Sequence, residues 1–246
     1  MALVQTFEKQ GNFLFKYRGQ FPLILFFIAV PFIFLTDYSG ITDANEKIYT
    51  IISVFLSSLG FLIRFYTIGT TPKGTSGRNT NEQVAEVLNS TGIYATVQHP
   101  LYLGNYLIWI GIATFVFSPF FILLISLLFW IYYERIMFAE ERFLEKRFGE
   151  EYLNWSNKIP AFIPNFSLYK KSLMPFSIKS VLRREYSGIL ACVIGFCFVY
   201  VLRNYKIGEE VFSKSMIYFL GGTLIISILL RTIKRNTQIL NEKDRS

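Results

Sequence analysis

Between Val87 and Tyr133 the chain carries no charged residue if the lone His99 is taken as neutral. This run limits what the chain can become more than any other feature. Taken as one straight helix, Pro100 to Tyr133 would measure about 51 Å at 1.5 Å per residue. That far exceeds the roughly 30 Å hydrocarbon core of a bilayer. Ser118-Pro119, near the middle, supplies a break, because proline opens a helix readily and disfavours a helical residue before it. The expectation is a hairpin of two apolar helices that returns His99 and the pair Glu140/Glu141 to one membrane face.

Similar uncharged runs extend from Gly19 up to Asp37, from Ile48 to Ile63, from Tyr186 to Leu202 and from Ser215 to Leu230. With 52% hydrophobic residues, 26 Phe and 15 Tyr in 246 residues, a water-soluble domain is disfavoured. Several runs fall short of a full span, but flanking aromatics and snorkelling Lys/Arg extend them. Backbone amides in lipid need internal partners. The expected fold is therefore all-α, a polytopic membrane bundle of about six transmembrane helices with cytosolic amphipathic helices.

The net charge of +8 would suit nucleic acid, yet its placement argues for a membrane instead. With both termini inside, all of the 25 Lys and Arg except Lys47, Arg203, Lys206 and Lys214 fall on the inner side, as the positive-inside rule asks. There they also meet anionic lipid head groups. Cys192 and Cys197 read as small buried hydrophobes within an apolar run. The first twenty residues mix Glu8 with Lys9, Lys16 and Arg18, so the first apolar run is expected to stay as a span rather than be cleaved.

Four regions follow. Residues 1–18 suit an inner-surface helix, and 19–166 form the core. Residues 167–185, holding Lys170, Lys171, Lys179, Arg183 and Arg184, are expected to lie along the membrane. Residues 186–246 form a C-terminal helical pair and basic tail. Thr80 with Gln83 reads as a capping box that opens a short helix to about Leu88. The Gly- and Thr-rich loop before it, with Lys73 and Arg78, either gathers amides and cations around an anion or is a solvated loop. After the hairpin the helical period continues to about Gly149, with Glu134, Glu141 and Glu145 on one face.

Taken singly, the chemical signals are weak. His99 before Pro100 suits an interfacial helix cap, Tyr94 and Tyr102 suit interfacial anchors, and Glu140/Glu141 suit a solvated face paired with Arg135, Arg142 or Lys146. Together they form an ordered set: G-I-Y-A-T-V-Q-H-P-L-Y-L-G, the uncharged hairpin, E-E-R-F-L-E-K-R-F-G-E-E-Y and I-P-A-F-I-P. From about Ser58 to Phe166 this set resembles the isoprenylcysteine carboxyl methyltransferase family and its relatives among phospholipid methyltransferases.

The resemblance implies S-adenosylmethionine held among helices at the cytosolic surface and methyl transfer to a lipid-borne acceptor. By position, Tyr94, His99, Pro100, Tyr102 and Gly104 would belong to the cofactor site, with Glu140 and Glu141 as the acidic pair. Gly60 and Arg64 match an earlier glycine-containing cofactor segment. Two positions depart from the family pattern. Gln98 and Ala139 stand where many members carry basic residues, so contacts to the cofactor carboxylate would pass to Arg64 or Arg142.

A sulfonium methyl is already activated, and an anionic acceptor needs no general base, so in-line placement and removal of water carry the chemistry. Lys73, Arg78, Arg135 and Arg142 are the cations expected to hold the acceptor. The loop cations favour a bacterial lipid head-group phosphate resembling that of lipid A, at the inner membrane. A prenylcysteine or other lipid-linked carboxylate, or a phospholipid amine, are the enzymatic alternatives. A transporter or scaffold is the contrasting class, though these spans hold almost none of the midplane ionisable groups that transporters use.

Overall fold

The structure is a computed structural model that describes residues 2–73 and 85–245. The described residues contain eight α-helices and no strands: α1 (Leu3–Lys16), α2 (Phe21–Leu35), α3 (Asp43–Thr70), α4 (Pro100–Thr114), α5 (Pro119–Phe148), α6 (Glu150–Ser156), α7 (Ile178–Ile207) and α8 (Lys214–Asn236). Four of these, α3, α5, α7 and α8, are long and apolar enough to cross a membrane. By length and composition alone the expected count of six is not confirmed. At 15 residues each, α2 and α4 are about 22 Å long, less than the hydrocarbon core. Large apolar side chains such as Phe27 and Phe120 point outward, 77% and 78% exposed, as lipid-facing surfaces require.

The hairpin forms where the proline places it. α4 ends at Thr114, Phe117 turns through a left-handed backbone (φ 63°), and the Ser118 hydroxyl caps α5 by accepting from the Phe121 amide at 3.4 Å. α4 is pressed against α3 along small residues. A Cβ on Gly60 would lie 2.5 Å from the Gly104 carbonyl oxygen, and one on Gly111 would lie 2.2 Å from the Ser57 hydroxyl. Only glycine allows this approach. At the far end, Arg203 of α7 pairs with Glu46 of α3 at 2.7 Å and lies over the rings of Phe115 and Phe117, joining α7 and α3 to the hairpin turn.

α1 does not lie alone on a surface. It runs along the charged end of α5, with Gly11 against the Arg135 carbonyl and Ala139, Glu8 paired with Lys146, and Phe7 edge-on to Phe138. The basic stretch expected along the membrane is not a separate strip either. Ser177 caps α7, which carries Lys179, Arg183 and Arg184 straight into the bundle and runs unbroken across residues 185 and 186. The reason lies in helical continuity, since no Pro or Gly interrupts Ile178–Tyr186.

The capping box at Thr80 and Gln83 lies outside the described residues, and residues 85–88, where its helix was expected to end, are irregular. The C-terminal tail folds back on the end of α3: Arg245 donates to the Gly69 carbonyl at 2.6 Å, and the Lys73 amide donates to the Asp244 carbonyl at 3.0 Å. Both described termini therefore sit at the bundle end that holds the start of α4 and the charged end of α5.

Candidate functional site

The segment before α4 is held by main-chain contacts. Gly92 turns with φ 63°, which favours glycine, and its amide donates to the Lys170 carbonyl at 2.9 Å. The I-P-A-F-I-P segment then grips the next residues: the Gln98 and His99 amides donate to the carbonyls of Pro160 and Ala161, and the Asn165 amide donates to that of Thr96. The Gln98 side chain donates to the carbonyls of Ser156 and Ile159 at 3.0 and 2.6 Å. A side chain that departs from the family pattern thus ties the end of α6 to the start of α4. Ala139, the second departure, is buried against Gly11 of α1, where a longer basic side chain has no room.

His99 is 6% exposed and faces the acidic pair across the hairpin. Its Nε2 lies 2.8 Å from Glu141 Oε1, and its Nδ1 lies 3.7 Å from Glu140 Oε2. Tyr102, one turn into α4, stacks on the imidazole with ring centres 5.6 Å apart and planes at 21°. Pro100, almost wholly buried, starts α4 directly behind the imidazole. The glutamate side chains stay 33% and 37% exposed, so their remaining lone pairs are open to an incoming donor. Two phenols sense this charge. Burial, and after it the Glu140 carboxylate, raises Tyr94 above the usual phenol range, while Arg184 opposes the shift. Tyr152 is raised by burial and then by Glu141, Glu140 and Glu145.

The other expected site residues are distributed unevenly. Gly60 and Gly104 meet each other in the α3–α4 seam. Arg64 is engaged by protein: Nε and Nη2 donate to the two oxygens of Glu185, each at 2.7 Å, and Nη1 donates to Asn105 at 2.5 Å. Arg135 pairs with Glu134 at 2.7 Å and lies over the Phe7 ring of α1, a packing position. Arg142 pairs with Glu145 at 2.6 Å but leaves its buried Nε without a partner. Lys73 is exposed beside the C-terminal tail, and Arg78 lies outside the described residues.

Sequence reasoning missed the α7 contribution, in which Glu185 is 2% and Arg184 8% exposed. A signal was available: Arg64 and Glu185 are opposite charges that each abut an apolar run, a common pattern for a pair closing between helices. Among the described residues, no cluster of three or more His, Cys, Asp or Glu is arranged to hold a metal ion.

The all-helical bundle brings His99 and the acidic pair of this ordered motif together at one end, and the motif lies within a stretch similar to integral membrane methyltransferases. Residues 48–151 match the family described as phospholipid methyltransferase. The protein-S-isoprenylcysteine O-methyltransferase of Schizosaccharomyces pombe is 31% identical over 44% of this chain and 48% of its own length. That of Saccharomyces cerevisiae is 28% identical over 48% of this chain and 50% of its own length. The cobalt-zinc-cadmium resistance protein CzcN of Cupriavidus metallidurans is 29% identical over 65% of this chain and 69% of its own length. The chain spans about half the length of the two yeast relatives. Over the matched part it is similar to the isoprenylcysteine and phospholipid methyltransferase-like family. No solved structure matches it.

The residues present suit the methyl donor such a family implies. The half-open carboxylates of Glu140 and Glu141 would take hydroxyl or ammonium donors, and the unsatisfied Nε of Arg142 suits a carboxylate.

Proposed function

We propose that this protein uses S-adenosylmethionine to O-methylate a carboxylate carried by a lipid-linked acceptor, in a site facing the cytosol. One observation carries the reading: the 2.8 Å contact between His99 and Glu141, which closes the hairpin at the end of the bundle. Glu140, Glu141 and His99, with Arg142 beyond them, would hold the donor. When bound, the donor supplies an electrophilic methyl group.

The protein's own work is placement and exclusion of water. His99 is fixed on one side by Glu141 and on the other by the Tyr102 ring, and the main-chain grip of the I-P-A-F-I-P segment keeps both in position. A carboxylate oxygen takes the methyl with no proton to remove, so no general base is required. An apolar cavity of about 680 Å³ supports a lipid-borne acceptor. It lies between α1, α2, α4 and α5, and its lining includes Lys9, Arg135 and Tyr133. Tyr133 packs against Tyr102 with ring centres 4.9 Å apart, so the cavity adjoins the site.

The yeast relatives are named for O-methylation of prenylcysteine, which favours a carboxylate over a head-group phosphate. Of the two loop cations that suggested phosphate, Lys73 has its amide bonded to the Asp244 carbonyl of the tail, and Arg78 lies outside the described residues. The excess of Lys and Arg at the end shared by both termini and the site favours a cytosolic position for all three.

Purified protein in lipid nanodiscs, given methyl-labelled S-adenosylmethionine and a farnesylated cysteine derivative, should release its label as methanol after mild alkali. Label in an alkali-stable product would replace the carboxylate with another acceptor. Absence of saturable donor binding would remove the enzyme reading.

A further inference from the structure

We propose that Glu185, on α7 and beyond the family-matched residues 48–151, is a positioning residue that orients the His99 imidazole through Arg64, Asn105, Tyr133 and Tyr102. The inference rests on His99 being part of the working site. The three polar links are directional, and two ring contacts carry them on to His99. The two oxygens of Glu185 take the parallel N–H groups of Arg64, which fixes the plane of the guanidinium.

Arg64 Nη1 then donates to Asn105 Oδ1, and this settles which way the amide faces: Nδ2 must point at the Tyr133 oxygen, to which it donates at 2.9 Å. The Tyr133 ring lies 4.9 Å from Tyr102, and Tyr102 stacks on His99. The chain of contacts passes from α7 to α3, α4 and α5 and back to α4 at its first turn.

A brace between helices would not require this arrangement. A buried ion pair loses so much hydration that apolar residues of equal volume often hold helices together as well or better. What the bidentate pair adds over such residues is orientation, and the orientation ends at the imidazole.

The test uses the chain's single histidine, which gives one imidazole signal in the full-length protein labelled with 13C-histidine in nanodiscs. Tyr133→Phe removes the hydroxyl link and leaves the ion pair intact. Arg64→Met with Glu185→Leu removes the pair while keeping apolar packing. Both variants should stay folded and move the imidazole signal, and combining all three changes should move it no further than the larger single effect. An unmoved signal in folded Tyr133→Phe, or displacements that add, would overturn the proposal; should the paired variant fail to fold, Tyr133→Phe still decides. The readout needs no turnover: a displaced signal in a protein that transfers no methyl group sinks the proposed function alone, and methyl transfer with an unmoved signal sinks this inference alone.

Discussion

At the scale of single residues, the site depends on a few charge-assisted contacts. A hydrogen bond to a charged group contributes about 1.5–3 kcal/mol, and about 1.4 kcal/mol is a factor of ten. Glu141→Gln keeps the shape but weakens the hold on His99, so methyl transfer should fall about 10- to 100-fold with the thermal midpoint almost unchanged. Steady-state kinetics beside thermal unfolding check this. His99→Ala removes both the Glu141 partner and the Tyr102 stack and should abolish transfer. Gln98→Ala behaves differently, because the amide's partners are carbonyls of the α6 end. It should lower stability by about 1–3 kcal/mol, since two acceptors lose their donor, and impair turnover only through that loss.

Among the elements, the α3–α4 seam has the tightest tolerance. Gly111→Leu would drive a side chain into Ser57 and the Ser53 carbonyl, and overpacking of this kind typically costs about 1–3 kcal/mol. The thermal midpoint in detergent should fall, whereas Gly221→Leu on α8, with open space around it, should leave it unchanged. The sequence spoke clearly on the hairpin, because a proline and a length limit act locally: Pro119 starts α5 and Phe148 ends it beside Gly149. It was silent on where α7 begins. Lys179, Arg183 and Arg184 look like surface charges in one dimension, and only the approach of Arg64 from another helix makes a buried Glu185 affordable. The acidic pair and its histidine were legible as a motif; Asn105 and Tyr133 were not, since an Asn and a Tyr in an apolar run carry no periodic signal. Gly60 and Gly104 were read as cofactor contacts, while the structure sets them against each other across the seam.

For the whole molecule, the bundle is polar at one end and closed by the hairpin turn at the other. α1, the C-terminal tail and the His99 site share the first end, while Tyr38, which donates to the Val116 carbonyl at 3.1 Å, marks the second. Cysteines introduced at Lys9 and Lys243 in a Cys192→Ser, Cys197→Ser background should react with a membrane-impermeant reagent only from the cytosolic side, and one at Ser39 only from the opposite side. Accessibility in intact cells and inverted vesicles reads this directly; reaction of Lys9→Cys and Ser39→Cys from the same side would contradict the orientation.

The grip on the residues before α4 has a lasting effect. It is written in peptide groups, the carbonyls of Pro160 and Ala161 and the amide of Asn165, which every sequence supplies at those points unless a proline replaces the asparagine. Ile163, 79% exposed beside them, is therefore free to drift over generations while the imidazole keeps its address. Such a chain can change what it greets at the membrane and leave the corner around His99 where it was.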